Sequence, residues 1–336
     1  MRKEPNQIPY TDIFKNAWQI TWKNRFLWWF GLFLSLAAGF SINWNGGNWN
    51  NSDPREQAVW QKISAFFSEH PGLIPALVGI TIALYIVFVI LAALARGGAI
   101  KSIDYILKNQ PAGFRPGMVE GKKYFWPILS LSIILFFFIA LSAIVLFTPV
   151  FFLFFSRVYF GGILLAACAV LIFIPLIILA SFVKTFGYIY IALGELGFRP
   201  AIENAYDLFL KNILTSIIMA LLFFPISLLL GLSMIFILLI FLFIFGAMAA
   251  LAYFTAGLPA AVVIGGIGAL LFIAAILAIR SVYEIFSQTA WIMFFREIAV
   301  PTEEEKIAEK EEEEKEVSAP KALPTGDVIK TIESEE

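Results

Sequence analysis

The sequence predicts an all-α, polytopic membrane protein: six transmembrane helices in three hairpins, each hairpin preceded by a cytoplasmic interfacial amphipathic helix. Three observations carry that reading. Hydrophobic residues make up 60% of the chain and charged residues 15%, with a mean hydropathy of +0.83; an ordinary soluble domain is nearer ~25% charged. The 35 Phe residues fall mostly inside long apolar runs. A soluble core has no room for them, whereas lipid solvates them. Third, a lead-in recurs. Gly-Phe-Arg-Pro stands at 113–116 and again at 197–200, and the N-A-Y-D-L-F-L-K-N of 204–212 repeats the N-A-W-Q-I-T-W-K-N of 16–24. The expected organisation is a membrane domain over 1–300, in units of about 8–110, 111–196 and 197–300, followed by an acidic disordered tail over 301–336.

In the first unit, residues 12–24 read as one amphipathic helix. Phe14, Ala17, Trp18 and Trp22 share a face, while Asp12, Lys15, Gln19 and Lys23 lie largely on another. Thr11 with Asp12 supplies its N-terminal cap. Such a helix lies in the headgroup plane. The first span, 26–42, is short and rich in Trp and Phe. Its lead-in recurs before an internal span, so it reads as a retained element and not a cleaved leader. The outer loop 43–72 is rich in Gly, Asn and Trp, which suits an irregular segment at the headgroup level. Within it, 55–69 reads as a short amphipathic helix, and 50–52 fits a glycosylation sequon that matters only in a secretory-pathway host. The second span, 73–94, runs past Arg96 into the mixed segment A-I-K-S-I-D-Y-I-L.

In the second unit, Gly113 ends the preceding helix in a left-handed conformation and Pro116 takes the first helical position. The helix 116–126 is more basic, with Lys122 and Lys123, and less clearly amphipathic. Spans 127–155 and 160–182 form a tight hairpin, and Lys184 leads out of it. The first of these exceeds one bilayer thickness, so it tilts or kinks, with Pro149 as the kink site.

The third unit repeats the scheme with Gly197 and Pro200. Over 200–212, Ile202, Ala205, Tyr206 and Phe209 oppose Glu203, Asn204, Asp207 and Lys211. Span 214–245 is again overlong, with Pro225 as its kink site, and an uncharged connection over 246–258 stays partly buried before span 259–279. Arg280 then opens a last mixed segment. Arg280 with Glu284, Glu195 with Arg199, and Arg296 with Glu297 read as local boundary pairs. Glycines 161, 162, 231, 265, 266 and 268 permit close helix packing.

Lys and Arg set the orientation. Fourteen flank the spans on one side against three on the other, which places both termini in the cytoplasm of a multi-pass protein of the bacterial inner membrane. Charge also divides along the chain. Residues 302–336 hold 13 acidic and 5 basic side chains, whereas the rest carries +7.

The span cores contain no Asp, Glu, Lys, Arg or His, which argues against a charge-coupled pump. One His (His70) and one Cys (Cys168) leave no intrachain disulfide and no His- or Cys-rich metal site. His70 reads as a surface residue and Cys168 as a small packed hydrophobe. No acid–base set is recognisable, the Gly-Gly of V-V-I-G-G-I-G lacks a P-loop lysine, and no cofactor, metal or nucleic-acid partner is expected. The candidate functional residues are interfacial. Phe14, Trp18, Trp22, Tyr206 and Phe209 are the lipid-facing set, and Arg115, Lys122, Lys123 and Arg199 the set for anionic headgroups. Membrane lipids are the expected partners, with a protein partner at the cytoplasmic face as a further expectation.

The two lead-ins, the G-F-R-P starts and the A-W-I-M-F-F-R-E of 290–297 resemble a broad group of six-span bacterial membrane proteins. They are similar to the membrane domain fused to some glycerophosphodiester phosphodiesterases. The similarity covers about residues 8–297. It implies an architecture and no catalytic residue, because no stretch of the sequence matches the soluble phosphodiesterase domain. The expected function is lipid or partner binding and membrane organisation without catalysis. The alternative is a transporter or permease component for a lipid-like or apolar substrate.

Overall fold

The computed structural model describes residues 8–39, 61, 65 and 68–299. The sequon at 50–52, most of the expected outer helix at 55–69 and the tail at 301–336 lie outside the described residues. The described chain is helical: α1 (Tyr10–Lys23), α2 (Leu27–Gly39), α3 (Leu73–Leu107), α4 (Phe114–Lys123), α5 (Phe125–Phe155), α6 (Tyr159–Leu193), α7 (Phe198–Lys211), α8 (Ile213–Ala256) and α9 (Leu258–Ala299). Five of these, α3, α5, α6, α8 and α9, are long and apolar enough to cross a membrane, consistent with an integral membrane protein. No more than 17% of the most apolar stretch of any of them is buried by protein. The helix α2 runs to the edge of the described residues, so the first expected span lies partly beyond them.

The longest helices are much longer than a crossing. With 44 residues, α8 reaches about 66 Å at 1.5 Å per residue. The helices run through Pro149, Pro175 and Pro225 without interruption. The connection expected over 246–258 is itself helical. Only Gly257, at φ 81°, turns the chain between α8 and α9, and Phe254 beside it is exposed.

The packed core sits at one end. Its buried side chains come from the segments that follow Arg96, Lys184 and Arg280, namely Ala99, Ile100 and Ile103 of α3, Phe186, Ile189 and Ile191 of α6, and Ile285, Ile292 and Phe294 of α9. These three segments touch one another. Each also carries one amphipathic helix: α4 packs on α3, α7 on α6, and α1 closes the set by packing on α9. We call this assembly the collar.

Small residues make the collar tight. The buried face of α4 is Gly117 and Gly121, that of α7 begins with Ala201 and Ala205, and that of α1 is Ile13, Ala17 and Thr21. Spaced four apart, these residues form one stripe per helix. A Cβ at Gly98 of α3 would lie 2.7 Å from the Gly117 carbonyl oxygen, so the two backbones are in near contact. The aromatic face expected to define α1 is instead its flank. Phe14 is half-buried between Phe223 (5.0 Å) and Phe286 (6.0 Å), while Trp18 and Trp22 are exposed.

The helix ends differ from expectation in physical detail. Pro9, not Thr11 or Asp12, is the N-cap of α1, without a side-chain cap bond. Gly113 and Gly197 are extended N-caps of the following helices, and Pro116 and Pro200 stand at the third helical position. That position is still in the first turn, where an N–H has no intrahelical partner to lose. The left-handed residues that end α3 and α6 are Asn109 (φ 55°) and Glu195 (φ 54°). At Asn109 the turn is secured by the Gln110 N–H donating to the Tyr105 carbonyl at 2.8 Å.

The repeated Lys-Asn has a structural reason. The Asn24 side chain donates to the Ile20 carbonyl (3.0 Å) and the Asn212 side chain to the Leu208 carbonyl (3.1 Å). Both occupy C-caps where the chain turns from an amphipathic helix into an apolar one. Asn24→Ala and Asn212→Ala are each expected to cost about 1 kcal/mol. A fall of roughly 2–4 °C in melting temperature for each variant in detergent is the check.

Candidate functional site

The collar leaves an open apolar groove of about 800 Å³ where α1 and the start of α2 meet α8 and α9. The walls are Phe14, Trp18 and Trp22 of α1, Trp28 of α2, Ile226, Leu229 and Leu230 of α8, and Ile279, Val282, Tyr283 and Phe286 of α9. The aromatic wall is built in steps. The Trp28 indole N–H donates to the Thr21 carbonyl (2.9 Å), which fixes the α1–α2 corner. Trp22 meets Trp28 edge-on at 5.1 Å and lies tilted against Trp18 at 5.5 Å, and Trp18 meets Phe286 edge-on at 5.8 Å. Such offset and edge contacts order the rings beyond their burial. On the far wall the Tyr283 hydroxyl is bonded to Ser227 Oγ at 2.7 Å. Lys15 supplies a cation at the groove.

The sequence-predicted lipid-facing residues separate here. Phe14, Trp18 and Trp22 line the groove together. Tyr206 is exposed on α7 and does not line the groove. Phe209 faces inward: it is only 6% exposed and stacks on Phe182 with ring centroids 4.6 Å apart. Arg115, Lys122, Lys123 and Arg199 are all exposed on α4 and α7, and none lines the groove. Lys123 is bonded to Glu120 at 2.9 Å. Trp28, Tyr283 and Lys15 were not singled out as site residues. The signal that would have found Trp28 is its place at the start of the first apolar run, just after the repeated Lys-Asn corner.

Charged side chains tie the collar across long sequence distances, not as neighbours. The Lys101 ammonium donates to Glu195 Oε1 (3.2 Å) and stands 5.3 Å from the centre of the Tyr124 ring, while the Tyr124 hydroxyl donates to the same carboxylate oxygen (3.0 Å). The Lys101 hydrogen bond first, then that of Tyr124, holds Glu195 below the usual carboxylate range. Asp104 is buried and accepts hydrogen bonds from Lys108 (2.9 Å) and from Arg296 of α9. The expected partners of Glu195 and Arg296 were Arg199 and Glu297. Their carboxylate–cation pairs are instead with Lys101 and Asp104, because the collar brings distant units closer than helical neighbours.

A second, smaller cavity of about 130 Å³ lies where α3, α6 and α9 meet. Arg96 and Glu284 are among its lining residues, and the Arg96 guanidinium lies 4.8 Å from the centre of the Tyr188 ring.

Other expected features are dispersed. Cys168 is exposed on the apolar stretch of α6. Gly162 lies under Phe154 and Gly268 under Phe245, whereas Gly231, Gly265 and Gly266 face open space. Compared with known proteins, the chain matches no family model, and neither a curated protein nor a solved structure is similar to it.

Proposed function

We propose that the protein is a non-catalytic, lipid-binding component of the bacterial inner membrane, with both termini in the cytoplasm and six spans in three hairpins. The collar lies at the cytoplasmic headgroup level in this reading, and the resemblance to phosphodiesterase-linked membrane domains carries the architecture only. The observation that supports it is the groove: a large apolar cavity walled by three ordered Trp rings, with Lys15 at its edge. Its volume falls in the range of ligand sites. Its chemistry suits an acyl chain, each buried methylene contributing about 0.8 kcal/mol, with Lys15 meeting an anionic headgroup.

Lipids retained by the protein in mild detergent test this, identified by native mass spectrometry. Trp18→Ser with Trp22→Ser is expected to lower retained lipid by about tenfold, equivalent to about 1.4 kcal/mol. Retention equal to that of the unmodified protein would remove the groove as the site. A transporter for a lipid-like substrate uses the same groove. Lipid flux in liposomes above the protein-free rate would favour that alternative over a binding role.

A further inference from the structure

The small cavity between α3, α6 and α9 begins just past the apolar part of each helix, at Arg96, Thr185 and Glu284. Two opposite charges, Arg96 and Glu284, therefore share about 130 Å³, yet among the described residues they form no ion pair. The geometry explains why. Arg96 is drawn onto the Tyr188 ring at 4.8 Å. Tyr188 is itself held by a 2.6 Å hydrogen bond between its hydroxyl and Ser132 Oγ of α5. Gln288, one helical turn beyond Glu284, also lines the cavity, and its Oε1 is buried with no hydrogen-bond partner. An orphaned buried acceptor is uncommon in a folded protein and calls for a donor. The cavity thus presents one cation on one side and two acceptors, one of them charged, on the other.

We propose that this cavity binds a compact zwitterion that carries both an ammonium and an anionic phosphate. The anionic oxygens take the Arg96 guanidinium, whose planar donors suit them. The ammonium takes the Glu284 carboxylate and Gln288 Oε1. Tyr188 is the positioning residue that keeps Arg96 from collapsing onto Glu284. The same chemistry occurs in free phosphoethanolamine and in the headgroup of phosphatidylethanolamine. This site is independent of the apolar groove, and its occupancy does not depend on an acyl chain lying there.

The test uses the purified full chain. In one arm, O-phosphoethanolamine is titrated calorimetrically against glycerol phosphate and against ethanolamine, each of which carries one of the two charges. In the other arm, the protein is exchanged into nanodiscs of mixed phosphatidylethanolamine and phosphatidylglycerol, and bound lipid is read by native mass spectrometry. The account predicts selective binding of the zwitterion in at least one arm, ten-fold or more over either half-molecule or over phosphatidylglycerol. Binding in the first arm identifies a free ligand, and selectivity confined to the second identifies the lipid headgroup. Glu284→Gln is expected to weaken that binding at least ten-fold with an unchanged melting temperature, because the carboxylate has no ion pair among the described residues to lose. Arg96→Gln should do the same for the anionic end. Absence of zwitterion selectivity in both arms, or unchanged binding by Glu284→Gln, would overturn the proposal. Trp18→Ser with Trp22→Ser should leave this binding intact, which separates its failure from failure of the groove.

Discussion

Gly121→Leu is expected to abolish the folded collar. The residue lies on the buried face of α4, against α3. A Cβ there would overlap the Leu94 carbonyl oxygen and stand 2.8 Å from the Gly98 amide nitrogen. The obstruction is backbone on both counts, so no side-chain rotation relieves it. The helices must separate, and the α4 contact on α3 is lost with them. Overpacking of a tight interface costs about 1–3 kcal/mol when the surroundings can adjust, and more when they cannot. A loss near 3 kcal/mol corresponds to a fall of roughly 10 °C in melting temperature. The expected result is a variant that aggregates or elutes without a monodisperse peak in detergent. Gly231→Ala, where nothing lies within 4 Å of a Cβ, is the matched control and should behave as the unmodified protein.

Asp104→Ala is expected to be the most damaging loss of a single polar group. Its carboxylate is 5% exposed and joins Lys108 of its own helix to Arg296 of α9, 192 residues away. Removing one partner of a buried pair leaves the other charge uncompensated, at about 3–5 kcal/mol. Arg296 is 33% exposed, so water compensates it in part and a smaller cost than that, about 2–3 kcal/mol, is expected. The check is a double-mutant cycle with Arg296→Met. The double variant should be more stable than Asp104→Ala alone, because the stranded guanidinium is gone. The Lys101–Glu195 link should matter much less, since the glutamate is 70% exposed.

The sequence made the helices legible because hydropathy and the repeated lead-ins are local signals. The lead-ins at 16–24 and 204–212 coincide with α1 and α7, and the passage of helices through Arg96, Lys184 and Arg280 was readable from their mixed aromatic continuations. Which face each amphipathic helix buries was not readable. Aromatic side chains dominate any hydropathy count, yet the contact faces are made by Ala17, Ala201, Ala205, Gly117 and Gly121, where small size brings backbones together. That is also why α4 reads as weakly amphipathic: two of its buried positions are glycines, which carry almost no hydrophobic signal. Phe209 was assigned to lipid for the same reason, although the collar covers it. The closure of α1 on α9 is invisible in any local pattern, and with it the long-range pairing of Asp104 with Arg296. The groove was half legible. Its Phe14, Trp18 and Trp22 wall lies on one helix, but Ile226 and Tyr283 arrive from helices more than 200 residues away in the chain.

The most direct measurement of the central claim is electron cryomicroscopy of the protein in lipid nanodiscs, with a bound antibody fragment for alignment. The account predicts elongated, acyl-chain density in the groove, running past Trp18 and Trp22 between Ile226 and Tyr283, with a headgroup near Lys15. A groove closed by its own side chains, or open and without lipid density while annular lipid is resolved around α5 and α6, would contradict it.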